Sequence, residues 1–259
     1  MGTERRPRTL RPQKASEHDA RHLWFWVLLL VVTAVLALCG RSASAQTNRV
    51  EEIIERALAL KPDLADGADL YRRHCATCHG RKAYGDSGTV TPALAGQRTP
   101  YLIKQLADVT EGHRQLPEMH RQLARTDLST PQALRNIATY LNELPTLAHP
   151  EIGDGKRLEL GERIYKSACA ECHGERGEGI SANIAPAVRG QHYSYLLMQA
   201  RRLAEGHRYS VDFSVIALLE LLSVDQLTAV ADFMSRLPVS LKPSRPLASA
   251  GLPMERRRD

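Results

Sequence analysis

The chain is predicted to be all-α and built as two duplicated helical domains. Three observations predict this: a repeat at constant spacing, helix-start signals in both copies, and no run of alternating apolar and polar residues. Compared with itself at an offset of 94 positions, the separation of Cys75 and Cys169, the sequence pairs Gly67 with Gly161 and Tyr71 with Tyr165. The same offset lays Cys75-Ala76-Thr77-Cys78-His79-Gly80 over Cys169-Ala170-Glu171-Cys172-His173-Gly174. The register continues with Pro92, Gly96, Gln97 and Tyr101 opposite Pro186, Gly190, Gln191 and Tyr195, and with Gly112-His113-Arg114 opposite Gly206-His207-Arg208. Leu128-Ser129 then meets Leu222-Ser223, and one residue is lost before Leu144-Pro145 meets Leu237-Pro238.

The helix signals follow the repeat. Thr99-Pro100 reads as an N-cap and first-turn proline for a helix to about Glu111. Ser129-Thr130-Pro131-Gln132 and Ser223-Val224-Asp225-Gln226 both fit the S-x-x-Q capping box, in which a hydroxyl and an amide satisfy each other's backbone N–H groups. In the last helix Leu227, Val230, Ala231 and Met234 share one face.

Residues 1–45 read as a signal peptide. Arg5, Arg6, Arg8, Arg11, Lys14 and Arg21 precede an apolar run from Leu23 to Cys39, and Ala43-Ser44-Ala45 supplies the small-residue cleavage site. The run is shorter than the roughly 20 residues of a spanning helix, so the membrane enters only if this segment stays uncleaved. The remaining divisions are a first domain at 46–145, a Pro- and Gly-containing linker at 146–155, a second domain at 156–240 and a disordered tail at 241–259. The net charge of +6 lies mostly in the signal, so the mature chain lacks the concentrated basic footprint of a nucleic-acid binder.

Each domain carries C-x-x-C-H, the pattern of covalent haem attachment: Cys75, Cys78 and His79 in the first, Cys169, Cys172 and His173 in the second. Two thiols at this spacing can each add to one vinyl group, and the next histidine then lies under the iron as its proximal ligand. A zinc ribbon wants its C-x-x-C pairs about 15–20 residues apart, and a thioredoxin-like motif wants a βαβ setting; neither holds here. Domains of this size gain modest stability from a side-chain core alone, so a fixed haem supplies much of the core, and the apoprotein is expected to fold poorly.

From about Gly67 to Pro238 the chain resembles the two-haem cytochromes c of the c4 type. The matching text is the repeated C-x-x-C-H, Pro-Ala-Leu-Ala-Gly-Gln at 92–97, Tyr101-Leu102, and Gly112-His113-Arg114 followed by Met119, with Pro186-Ala187-Val188-Arg189-Gly190-Gln191 as the second copy. The resemblance implies tandem class I cytochrome c-like domains, two covalent haem c groups, and single-electron transfer in the periplasm between redox proteins such as a terminal oxidase. It also implies Met119 as the second axial ligand of the first haem. A thioether opposite histidine raises haem potential, and the adjacent His120 points about 100° away on a helix.

At the offset of Met119 the second domain has Phe213, which has no lone pair for iron. Met198, Met234 and His207 are the alternatives, and none is assigned. The second haem is therefore expected to lack methionine ligation. Beside the electron-carrier reading stands a haem enzyme or small-ligand sensor, in which Phe213 shapes a distal pocket over an open second iron.

Overall fold

The computed structural model describes residues 24–33, 49–124, 127–208 and 211–239. The expected signal peptide lies outside them except for a helix over Trp24–Thr33, and the expected tail at 241–259 lies wholly outside. Among the described residues no single helix is long and apolar enough to cross a membrane. The chain from Arg49 onward forms one compact unit, distinct from the segment ending at Asn48.

In the first half, α1 over residues 49–59 buries Val50, Ile54 and Ala57, one face at i, i+4 and i+7. Helix α2, Leu64–His74, starts where the Asp63 carboxylate accepts from the N–H groups of Ala65 and Asp66. A short turn α3, Ala76–His79, follows, then α4 at Thr99–Thr110, α5 at Pro117–Leu123 and α6 at Pro131–Glu143. The second half repeats the plan. Helix α7, Leu158–Ile164, runs through one π turn, Tyr165–Cys169, into α8, Ala170–His173; then come α9, Tyr193–Ala204, α10, Phe213–Glu220, and α11, Val224–Ser235. Among the described residues the only β feature is an isolated bridge between Asp86 and Thr91, so the fold is all-α.

In each half the first motif helix crosses the last helix, α2 on α6 and α7 on α11. The repeated glycines make the crossing. A Cβ on Gly67 would lie 2.3 Å from the Asn136 carbonyl oxygen, and one on Gly161 would lie 2.1 Å from that of Ala229. No side chain fits without separating the helices, the kind of overpacking that costs about 1–3 kcal/mol or more.

Three details of the sequence reading change. The N-cap of α4 is Arg98, with Thr99 as the first helical residue. The N-cap of α6 is Thr130 rather than Ser129: its hydroxyl accepts from the Ala133 N–H at 3.1 Å. The box at Ser223 and Gln226 forms as read. The caps Thr130 and Ser223, and the crossing partners Asn136 and Ala229, are all one position short of the upstream offset. The lost residue therefore precedes the last helix, and Met234 is the counterpart of the buried core residue Leu141.

The two halves dock through a reciprocal pair of glutamines. Gln97 donates to the Ala187 carbonyl at 2.9 Å and accepts from the Ala187 N–H at 2.8 Å; Gln191 does the same to Ala93, both at 2.9 Å. The segment between the halves is tied down as well. The buried Asp232 accepts from the N–H groups of Gly153 and Gly155, and His192 accepts from the Glu151 N–H while bonding the Tyr84 carbonyl at 2.8 Å.

Candidate functional site

Each C-x-x-C-H occupies the helical turn after the first motif helix, and the same three contacts fix both copies. A tyrosine one helical turn ahead of the first cysteine lies buried beneath the motif. The Tyr71 hydroxyl donates to the Gly80 carbonyl at 2.7 Å, and that of Tyr165 to the Gly174 carbonyl at 2.5 Å. Burial, with a neighbouring cysteine, pushes Tyr71 well above the usual phenol range and Tyr165 up to about 12, so both remain donors.

The histidines are held through one ring nitrogen. His79 Nδ1 lies 3.1 Å from the Pro92 carbonyl, and His173 Nδ1 lies 3.0 Å from that of Pro186. A carbonyl can only accept, so Nδ1 carries the proton and Nε2 keeps the lone pair that a metal requires. Burial lowers both imidazoles below their ordinary value, which favours this neutral form.

Neither cysteine pair is a disulfide. Burial, then the nearby second cysteine, pushes Cys75 up to about 12 and Cys169 up to about 11. These sulfurs favour the uncharged state and are poorly placed for a thiolate metal centre. Among the described residues no three His, Cys, Asp or Glu side chains converge as a metal site. A cysteine pair beside an imidazole with a free lone pair fits a thioether-linked haem in each half.

The far sides of the two halves differ. In α5, Met119 is half-buried and packs on the core with Leu116, whereas the neighbouring His120 is exposed, its Nδ1 2.9 Å from the Val109 carbonyl. In the second half Phe213 is 80% exposed at the first position of α10. The loop leading to α10 is two residues longer than the loop leading to α5. The third residue of α10, the position Met119 holds in α5, is accordingly the half-buried Val215. Helix α10 contains no Met, His, Cys or Lys. His207 is exposed and faces Glu205, and Met234 packs with the core.

Sequence reasoning missed the purpose of the other repeated residues. Gln97, Tyr101 and Arg114, with their copies Gln191, Tyr195 and Arg208, lie at the junction of the halves. Their exact repetition was the available signal, since a twofold interface needs each contact twice.

Residues 62–141 match the family model described as cytochrome c oxidase, cbb3-type, subunit III, and residues 158–238 match that of cytochrome c. Cytochrome c4 from Pseudomonas aeruginosa is 37% identical over 141 residues, covering 52% of this chain and 68% of that protein. The thiosulfate dehydrogenase electron acceptor of Stutzerimonas stutzeri is 28% identical over 198 residues, covering 70% of this chain and 90% of that one. The crystal structure of reduced cytochrome c4 from Pseudomonas stutzeri matches with a TM-score of 0.61 at 26% identity, covering 68% of this chain and 100% of the other. With its duplicated helical halves and paired attachment motifs, the chain belongs to the cytochrome c4 family of di-haem electron carriers, with a covalently bound haem c in each half.

Proposed function

We propose that the protein is a periplasmic single-electron carrier whose two haems are unequal. Cys75 and Cys78 bind the first haem, ligated by His79 and Met119; Cys169 and Cys172 bind the second, ligated by His173 and lacking methionine. A bound haem c supplies the one-electron iron couple. The protein's own residues do the rest. The tyrosines and proline carbonyls fix the motif and imidazole orientation, and the glutamine clamps tie the two halves together. The observation that carries the inequality is the contrast between α5, with a core-facing Met119, and α10, with no strong iron donor along its length.

Export is supported by the Arg-rich start, the apolar run and Ala43-Ser44-Ala45. One relative is described as the electron acceptor of thiosulfate dehydrogenase and one matching family as a subunit of a cbb3-type cytochrome c oxidase, which supports partners among periplasmic or membrane-bound redox proteins such as a terminal oxidase. The donor-free α10 also favours a second reading, in which the second haem binds a small ligand.

Substitution in α10 tests the ligation directly. Val215→Met is expected to add a second methionine-to-iron charge-transfer band and raise the potential of one haem. Phe213→Met is expected to add none, because that residue stands two positions before the one that matches Met119. A wild-type band already corresponding to two methionine-ligated haems would contradict the proposal.

A further inference from the structure

We infer that the outer face of α10 and the turn into α11 form a docking surface for an electron-transfer partner whose own contact face is apolar and rimmed by lysine or arginine. Among the described residues from Arg49 onward, the three most exposed large apolar side chains are Leu221 at 83%, Phe213 at 80% and Val224 at 63%. Phe213 begins α10, Leu221 caps its end, and Val224 begins α11 three residues later. Single exposed apolar residues are ordinary on a protein surface, whereas a cluster marks a contact site.

The first half shows which way the cluster faces. With Val215 in the place of Met119, Phe213, Ile216, Ala217 and Leu218 take the places of Pro117, His120, Arg121 and Gln122. Those four α5 residues are all exposed, whereas Met119 and Leu123 pack with the core of their half. At about 100° per residue, Phe213 and Ala217 lie about 160° from Val215, and Leu221 about 120°. The stripe 213, 217, 221 therefore runs along the side of α10 away from the one that matches Met119. A polar outer face in α5 has become an apolar one in α10, and a helix apolar all round is one that is covered on both sides.

Charge selects what covers it. Each of the three exposed apolar residues has a carboxylate beside it in the chain: Asp212 before Phe213, Glu220 before Leu221, Asp225 after Val224. Asp225 is paired with Arg157 at 2.5 Å, while Asp212 accepts only from Ser214, and Glu220 forms no salt bridge among the described residues. Helix α10 has no Lys or Arg. An anionic lipid surface repels such a rim, and helices that lie in a membrane interface carry lysine and arginine instead. A second copy related by a twofold axis would set carboxylates against carboxylates. A basic-rimmed protein face is attracted to it. One helix, about 10–12 Å thick with its side chains, then separates the partner from the side matching Met119. That placement rests on the electron-carrier reading and makes the second half the point of electron exchange.

The test uses the holoprotein and a gold electrode carrying a mixed methyl- and ammonium-terminated monolayer, which presents this surface chemistry. Wild-type adsorption at low ionic strength, read by film voltammetry, should be about tenfold tighter than that of the double variant Phe213→Ser/Leu221→Ser, the scale on which central contact residues count. Glu220→Lys should weaken adsorption as well, and added salt should weaken that of the wild type. Equal adsorption of wild type and the folded double variant overturns the proposal; if that variant does not fold, equal adsorption of Glu220→Lys does. Tighter wild-type binding to phosphatidylglycerol vesicles than to the monolayer, lost in the double variant, would assign the face to a membrane. A dimer in sedimentation that the double variant abolishes would assign it to a second copy, and tighter adsorption after deletion of residues 241–259 would assign it to the chain's own Arg-rich end. Each of these three results overturns the proposal. Reduction potentials taken in solution with small mediators should be the same in every variant. Loss of reversible one-electron couples there would overturn the electron-carrier reading and the kind of partner with it, whereas a failure of docking alone leaves those couples intact.

Discussion

Met119→Ala is expected to abolish the methionine-to-iron charge-transfer absorption entirely, while changing the potential of one haem only. The side chain sits at the third position of α5, half-buried against the core, on the helix that follows the Gly112-His113-Arg114 loop. Removing a thioether donor favours the ferric state, so the affected potential should fall by about 0.1 V or more, a fraction of the about 0.8 V over which axial ligands set haem potentials. The proximal bond is untouched, because His79 is held by Pro92 rather than by α5. Optical titration of wild type and variant checks this. A surviving band would place the ligand elsewhere.

The second large effect is expected from replacing Cys75 and Cys78 together by alanine. The variant should carry one haem instead of two, read as half the haem absorbance per chain and as a loss of one haem in the intact mass. The first half should lose most of its cooperative unfolding, since its tyrosine brace and helix crossing are built around the motif. The second half keeps its own braced motif and crossing, so the remaining haem should retain its spectrum. A protein still carrying two haems, or haem extracted by acid acetone from the wild type, would contradict covalent attachment at these residues.

The fold was legible in the sequence where one physical requirement fixes one residue type. Gly67 and Gly161 recur because a helix crossing admits no Cβ, and C-x-x-C-H recurs because two thioethers and one ligand need that spacing. Residues that recur for the interface look the same in a self-comparison. Gln97 and Arg114 therefore read as motif text until their partners across the junction were visible. The region opposite the second haem was misread for a different reason. A longer loop before α10 and a shorter one after it nearly cancel, so a fixed offset paired Met119 with Phe213, although the helices pair it with Val215. The absence of methionine in α10 survives the correction.

The inequality of the two haems is tested most directly by quantifying, on the wild-type holoprotein, the methionine charge-transfer band per haem together with carbon monoxide uptake after reduction. The expected result is one methionine-ligated haem per chain and one carbon monoxide bound, at the second haem, which has His173 on one side and no donor from α10 on the other. Two methionine-ligated haems per chain and no carbon monoxide uptake would contradict it.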